Sequence, residues 1–130
     1  MTPIIEQQLA ALQQERPEAS AAQLPSGAHL ITIPNVTMPP GWSVRVVTIL
    51  FVAPPGYPAA QPDCFWVEPK GLRLENGKTP QNTNDANPIP EVQPPRDVTW
   101  FSWHLQHWNP NQSSLLTYCN VIMQRLSPAR

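Results

Sequence analysis

Charge of either sign is scarce in this chain. Eight Lys or Arg and nine Asp or Glu among 130 residues leave a formal charge of -1 and a sequence pI near 6.3. Nothing in that balance provides the basic footprint needed to hold nucleic acid or an anionic membrane surface. Long apolar runs are missing too: no stretch reaches the roughly 18 residues that a membrane span needs. The N-terminus does not show the basic, then apolar, pattern of a signal peptide. Cysteine is confined to Cys64 and Cys119, which is too few for the disulfide framework of a small secreted domain. With His104 and His107 they form no tight ligand pair of the kind a structural zinc site shows, so neither a metal nor a cofactor is expected. A cytoplasmic protein without nucleic-acid or membrane partners is the expectation.

What is abundant is proline, at 18 residues, against a hydrophobic share of 41%. That mixture pushes irregular structure above the ordinary level, while 130 residues suffice for one domain with a single core. Thr2-Pro3 reads as a helix start, a capping hydroxyl before proline at the first helical position. Ile5, Leu9 and Leu12 follow at i, i+4 and i+7, one apolar stripe, and the helix should end near Arg16-Pro17. The Ala/Gln-rich stretch to Pro25-Ser26-Gly27 reads as a linker or a frayed continuation.

His29 to Ile33 is a β-branched strand stopped by Pro34. After the turn at Pro39-Pro40-Gly41, Trp42 to Val52 is the best strand of the chain. Val44, Val46, Leu50 and Val52 share one face with Trp42, and Val47, Ile49 and Phe51 take the other. This half-buried pattern suits an antiparallel sheet with helices on one side. Pro54-Pro55-Gly56-Tyr57-Pro58 turns the chain into strand Cys64 to Val67. Asn76-Gly77 suggests a small hairpin between Leu72-Arg73-Leu74 and Lys78-Thr79. Pro80, Pro88, Pro90, Pro94 and Pro95 then make a long extended loop, because proline donates nothing to a ladder. At the C-terminus, Asn111 to Ser114 offers caps. Leu115, Cys119, Ile122 and Leu126, widened by Leu116 and Met123, form the apolar stripe of a helix ended by Ser127-Pro128. The fold class is α+β: an N-terminal helix, a four-stranded antiparallel meander, a long Pro-rich loop and a C-terminal helix.

Gly56-Tyr57-Pro58 between two strands, answered downstream by Trp108-Asn109-Pro110 before the last helix, resembles the ubiquitin-conjugating (E2) family over roughly residues 28 to 126. The resemblance implies a single E2-like domain over 1–130. Helix and linker would occupy 1–27, sheet 28–67, irregular loop 68–98, and the active-site-equivalent segment with the closing helix 99–130. It also implies two partners, an E1-like adenylating enzyme and a ubiquitin-like modifier, the latter carried as a thioester on a cysteine. Thioester exchange needs a nucleophile that ionises easily and also leaves easily.

The family's motif is not met here. Its spacing, counted back from Trp108, lands on Trp100, in the run Val98-Thr99-Trp100-Phe101-Ser102-Trp103-His104-Leu105. Pro94-Pro95-Arg96-Asp97 stands where the family has His-Pro-Asn. Ser102 with His104 is the nearest substitute, a hydroxyl that would accept the acyl group as an oxyester with imidazole as general base. The Ser-Trp-His order is similar to divergent bacterial E2-like families that place a histidine after the nucleophile position. The contrasting reading is a catalytically silent module in which Ser102 and His104 satisfy backbone groups while the segment binds the modifier or the E1-like enzyme. Cys64 reads as a small hydrophobe in the sheet and Cys119 as core. Asn82-Thr83-Asn84-Asp85 offers either side-chain amides to an oxyanion or Asx turns in the loop. Val98 to Trp108 is the expected functional centre.

Overall fold

The computed structural model describes residues 2–130. Helix α1 (Pro3–Glu15) begins as the sequence dictates, with Thr2 Oγ1 accepting from Ile5 N at 3.4 Å. It buries Ile5, Leu9 and Leu12, and Arg16 N closes its end on Leu12 O at 2.9 Å.

The expected linker is instead a strand, β1 (Ser20–Gln23), paired antiparallel with the start of β2 (His29–Thr37). Ala and Gln have little strand preference of their own. The turn that Leu24 N closes on Ala28 O (2.8 Å), with Gly27 at φ 93, presents them to β2 and pairing prevails. Nor does Pro34 stop β2, because a bulge between Ile33 and Val36 absorbs the missing donor, with Asn35 at φ 57, and pairing resumes. β3 (Val46–Ala53) starts later than Trp42. The Trp42 indole turns off the sheet, donates to Leu126 O at 2.8 Å and joins the core.

β4 (Phe65–Glu68) pairs with β3 on one side and with β6 (Thr99–Phe101) on the other, and β5 (Thr83–Asn84) lies beyond β6. Among the described residues the sheet therefore has six strands, in the order β1-β2-β3-β4-β6-β5, rather than four. Asn76-Gly77 does form a turn, with Leu74 N donating to Lys78 O at 2.9 Å, but Leu74 bridges Trp42 instead of building a separate hairpin.

Helix α2 (Leu115–Leu126) is capped by a reciprocal pair, Ser114 Oγ taking Thr117 N and Thr117 Oγ1 taking Ser114 N. Its buried Leu115, Cys119, Ile122 and Leu126 meet α1 and the odd-numbered side chains of β3, Val47, Ile49 and Phe51, in the main core. The opposite face of the sheet carries a smaller cluster, Leu30, Leu50 and Trp66, covered by Ile89 and Val98 from the Pro-rich stretch. The architecture is α+β.

Candidate functional site

β6 and the chain after it alternate between the two faces. Phe101 is buried in the main core and Trp103 and Leu105 pack against it, while Trp100 packs on the opposite cluster. Ser102 and His104 stand just past β6, between these anchored aromatic and apolar residues. Aromatic, cationic and hydrogen-bond contacts hold this segment. Phe101 stacks on Phe65 with ring centres 4.5 Å apart. Tyr118 Oη donates to Trp103 O at 3.3 Å. The Arg125 guanidinium lies 5.1 Å from the Phe101 ring centre and 5.5 Å from that of Trp103.

Ser102 N donates to Asn82 O at 2.9 Å, which extends the β5–β6 ladder, and its side chain is half-buried. His104 is exposed, and its Nδ1 meets Asp63 Oδ1 at 2.7 Å. Among the described residues no hydrogen bond joins the Ser102 hydroxyl to the His104 ring. Beside His104, an open pocket of about 310 Å3 is lined by Trp103, His107, Gln124 and Arg130, among others.

The segment is closed by contacts that the Tyr-Pro and Trp-x-Pro elements supply. Trp108 Nε1 donates to Pro58 O at 2.7 Å, and its ring tilts against Tyr57 at 5.7 Å. Tyr57 Oη donates to Gln8 Oε1, which also accepts from Leu115 N at 3.1 Å. One glutamine thus ties α1, the Tyr-Pro turn and the first turn of α2 together. Burial pushes the Tyr57 phenol up, so it stays a donor.

Burial opposes ionisation of both cysteines where they stand. Continuing the β4–β6 register one pair beyond Phe65↔Phe101 sets Cys64 across from Ser102, a proximity that sequence spacing alone did not show. Cys64 nevertheless packs against the Leu30, Leu50 and Trp66 cluster. Burial raises its thiol pKa, a hydrogen bond with Trp100 lowers it and the Asp63 charge raises it, and the net direction is up. A thiol held protonated attacks slowly. Cys119 is buried in the main core, and burial likewise raises its pKa.

The amide-rich run 82–85 carries β5 at Thr83–Asn84 and turns sharply on either side of it. Asn84 Oδ1 accepts from Ala86 N at 3.0 Å and from Asn87 Nδ2 at 2.6 Å. Asp85 takes Gly71 N, Arg73 Nη2 and Thr99 Oγ1 at 2.9, 3.0 and 3.0 Å. Among the described residues no group of three His, Cys, Asp or Glu side chains gathers as a metal site would require.

Two neighbours of this segment escaped the sequence reading. Asp63 stands just before β4, far from His104 in sequence, and only strand pairing brings them together. Arg125, beside the apolar stripe of α2, drew no attention in the sequence. It is buried, with its pKa lowered to about 10 by burial and by the Arg130 charge.

Compared with known proteins, residues 16–129 match the family model described as Prokaryotic E2 family E. No curated protein and no solved structure matches the chain.

Proposed function

The chain belongs to prokaryotic E2 family E, and from that premise we propose that it is an E2-like component of a bacterial, cytoplasmic ubiquitin-like conjugation pathway. It meets an E1-like adenylating enzyme and a ubiquitin-like modifier through the segment Val98 to Trp108. The observation that carries this reading is the composition of that segment in its place. It lies between β6 and the Trp108 closure and presents exposed His104 and His107 beside a pocket. It has no cysteine, the two in the chain being Cys64 and Cys119. The helix, antiparallel sheet, irregular stretch and closing helix of the architecture support the same reading, that of an E2-like single domain over 1–130. In this role the protein holds the modifier or the E1-like enzyme without a thioester of its own.

A second reading, covalent carriage on Ser102, is favoured by one specific contact, the Asp63 carboxylate on His104 Nδ1 at 2.7 Å. With Nδ1–H so engaged, Nε2 is left as the base. In that step the Ser102 hydroxyl attacks the thioester carbonyl of the E1-bound modifier. Its proton passes to His104 Nε2, the Oγ–C bond forms, and the C–S bond breaks. The departing thiolate takes the proton back from the imidazolium. The product is an oxyester.

The test is incubation with the cognate E1-like enzyme, the ubiquitin-like protein and ATP, with binding followed in parallel. The binding reading expects capture of a partner, weakened by Ser102→Ala and His104→Ala, and no adduct. The covalent reading expects an adduct that hydroxide cleaves and thiol reductant does not, abolished by Ser102→Ala while capture survives. If both variants behave as wild type in both assays, the segment is not the site.

A further inference from the structure

We infer that Asp63 is the positioning residue of His104. It fixes the ring as the Nδ1–H tautomer, so that Nε2 is presented as the acceptor toward a proton-bearing group on the partner. The inference rests on reading Val98 to Trp108 as the functional segment and extends it to a residue outside that segment.

The contact itself is short, 2.7 Å between Asp63 Oδ1 and His104 Nδ1, and both side chains are largely in solvent, 77% and 58% exposed. An ion pair or hydrogen bond so exposed adds little to folding stability. Its consequence is orientation. A neutral imidazole has one donor and one acceptor nitrogen, and whichever nitrogen faces a carboxylate keeps the hydrogen.

The pair is also held in place by the chain on both sides. Phe65↔Phe101 and Trp66↔Trp100 are ladder pairs, which fix the start of β4 against the end of β6. Gln61 Nε2 reaches Leu105 O at 3.5 Å, and Trp108 Nε1 donates to Pro58 O at 2.7 Å. The stretch 58–63 is thus fastened to 101–108 at several points. Asp63 arrives at His104 on a placed backbone, not at the tip of a free loop. Placement by a second element is what a preorganised site requires.

The experiment uses the full-length protein with isotope-labelled histidine. The ring-nitrogen resonances of His104 report the tautomer, and capture of the cognate ubiquitin-like protein is measured on the same samples. The neutral ring of wild type is expected in the Nδ1–H form. Asp63→Ala is expected to lose that preference with the fold unchanged, and Asp63→Glu to restore part of it. Capture should weaken about tenfold in Asp63→Ala, the scale of one hydrogen bond. The double variant Asp63→Ala/His104→Ala should be no weaker than His104→Ala alone. An unchanged tautomer in Asp63→Ala overturns the inference, as does wild-type capture by Asp63→Ala when His104→Ala captures poorly. Wild-type capture by His104→Ala is a different failure. It removes the functional reading of the segment, and the role of Asp63 with it, even if the tautomer shifts.

Discussion

On one face of the sheet, α1 and α2 bring Ile5, Leu9, Leu12, Ile122 and Leu126 down onto Ile31, Phe51 and Val67. On the other face, an irregular stretch lays Ile89 and Val98 over Leu30, Leu50 and Trp66. The helical face is closed mainly by apolar contact. The loop face has a smaller apolar cluster and is fastened by directed bonds. Trp66 Nε1 donates to Asn87 O at 2.8 Å, Arg96 pairs with Glu68 at 2.7 and 2.8 Å, and Glu91 takes Ser26 N and Oγ, each at 2.7 Å. The difference teaches how a Pro-rich stretch can be ordered without periodic secondary structure. Its prolines spend few donors, and side chains at its ends and middle tie it to the strands below.

That contrast can be broken most forcefully by truncation on each face. Ile122→Ala, at a fully buried position of α2, should cost about 2–5 kcal/mol. Ile89→Ala, under a thin covering, should fall at or below the lower end of that range, because the loop can relax into the space. Urea midpoints at constant slope measure both. Equal losses would mean that the loop face is as tightly packed as the helical one.

The next effect is polar. Thr99 Oγ1 accepts from Leu72 N at 3.0 Å and sits beside Asp85 Oδ1 and Pro69 O, fully buried. Thr99→Val keeps the shape and strands those partners, so it should cost about 1–3 kcal/mol. Asp85 adds a pH signature. Burial raises its carboxyl pKa, but the Gly71 amide, Arg73 and Thr99 more than offset this, and the net direction is below the ordinary 3.8. Its contribution is present above that value and is lost as the pH falls through the lower folded one.

The smallest effect belongs to His29 on the far strand. It is buried with Nε2 unpartnered among the described residues, and burial lowers its pKa below the ordinary 6.5. The unfolded chain therefore binds the proton first, and stability should decline as the pH drops below about 6.5. His29→Gln should flatten that part of a stability-versus-pH curve. An unchanged curve would place the acid sensitivity elsewhere.

How much of this was legible in the sequence follows the same division. Both helices were readable to within a residue or two, because Thr2, Ser114 and the apolar spacings each carry a local signal. The two faces of β3 were readable from alternation. β1 was not, because Ser20 to Gln23 becomes a strand only against β2. The departure of Trp42 from β3 depends on an acceptor at Leu126, far along the chain. In the candidate site, Ser102 and His104 could be named from their order. Asp63 and the cross-strand position of Cys64 depend on the β4–β6 register, which no local pattern encodes.

The central claim is that this E2-like chain works through Val98 to Trp108 and not through a cysteine. Its most direct test is capture of the cognate ubiquitin-like protein in the presence of the E1-like enzyme and ATP, measured side by side on Cys64→Ala and His104→Ala, each confirmed as folded. The account predicts wild-type capture by Cys64→Ala and markedly weakened capture by His104→Ala. A thiol-sensitive adduct that disappears in Cys64→Ala while His104→Ala behaves as wild type would contradict it.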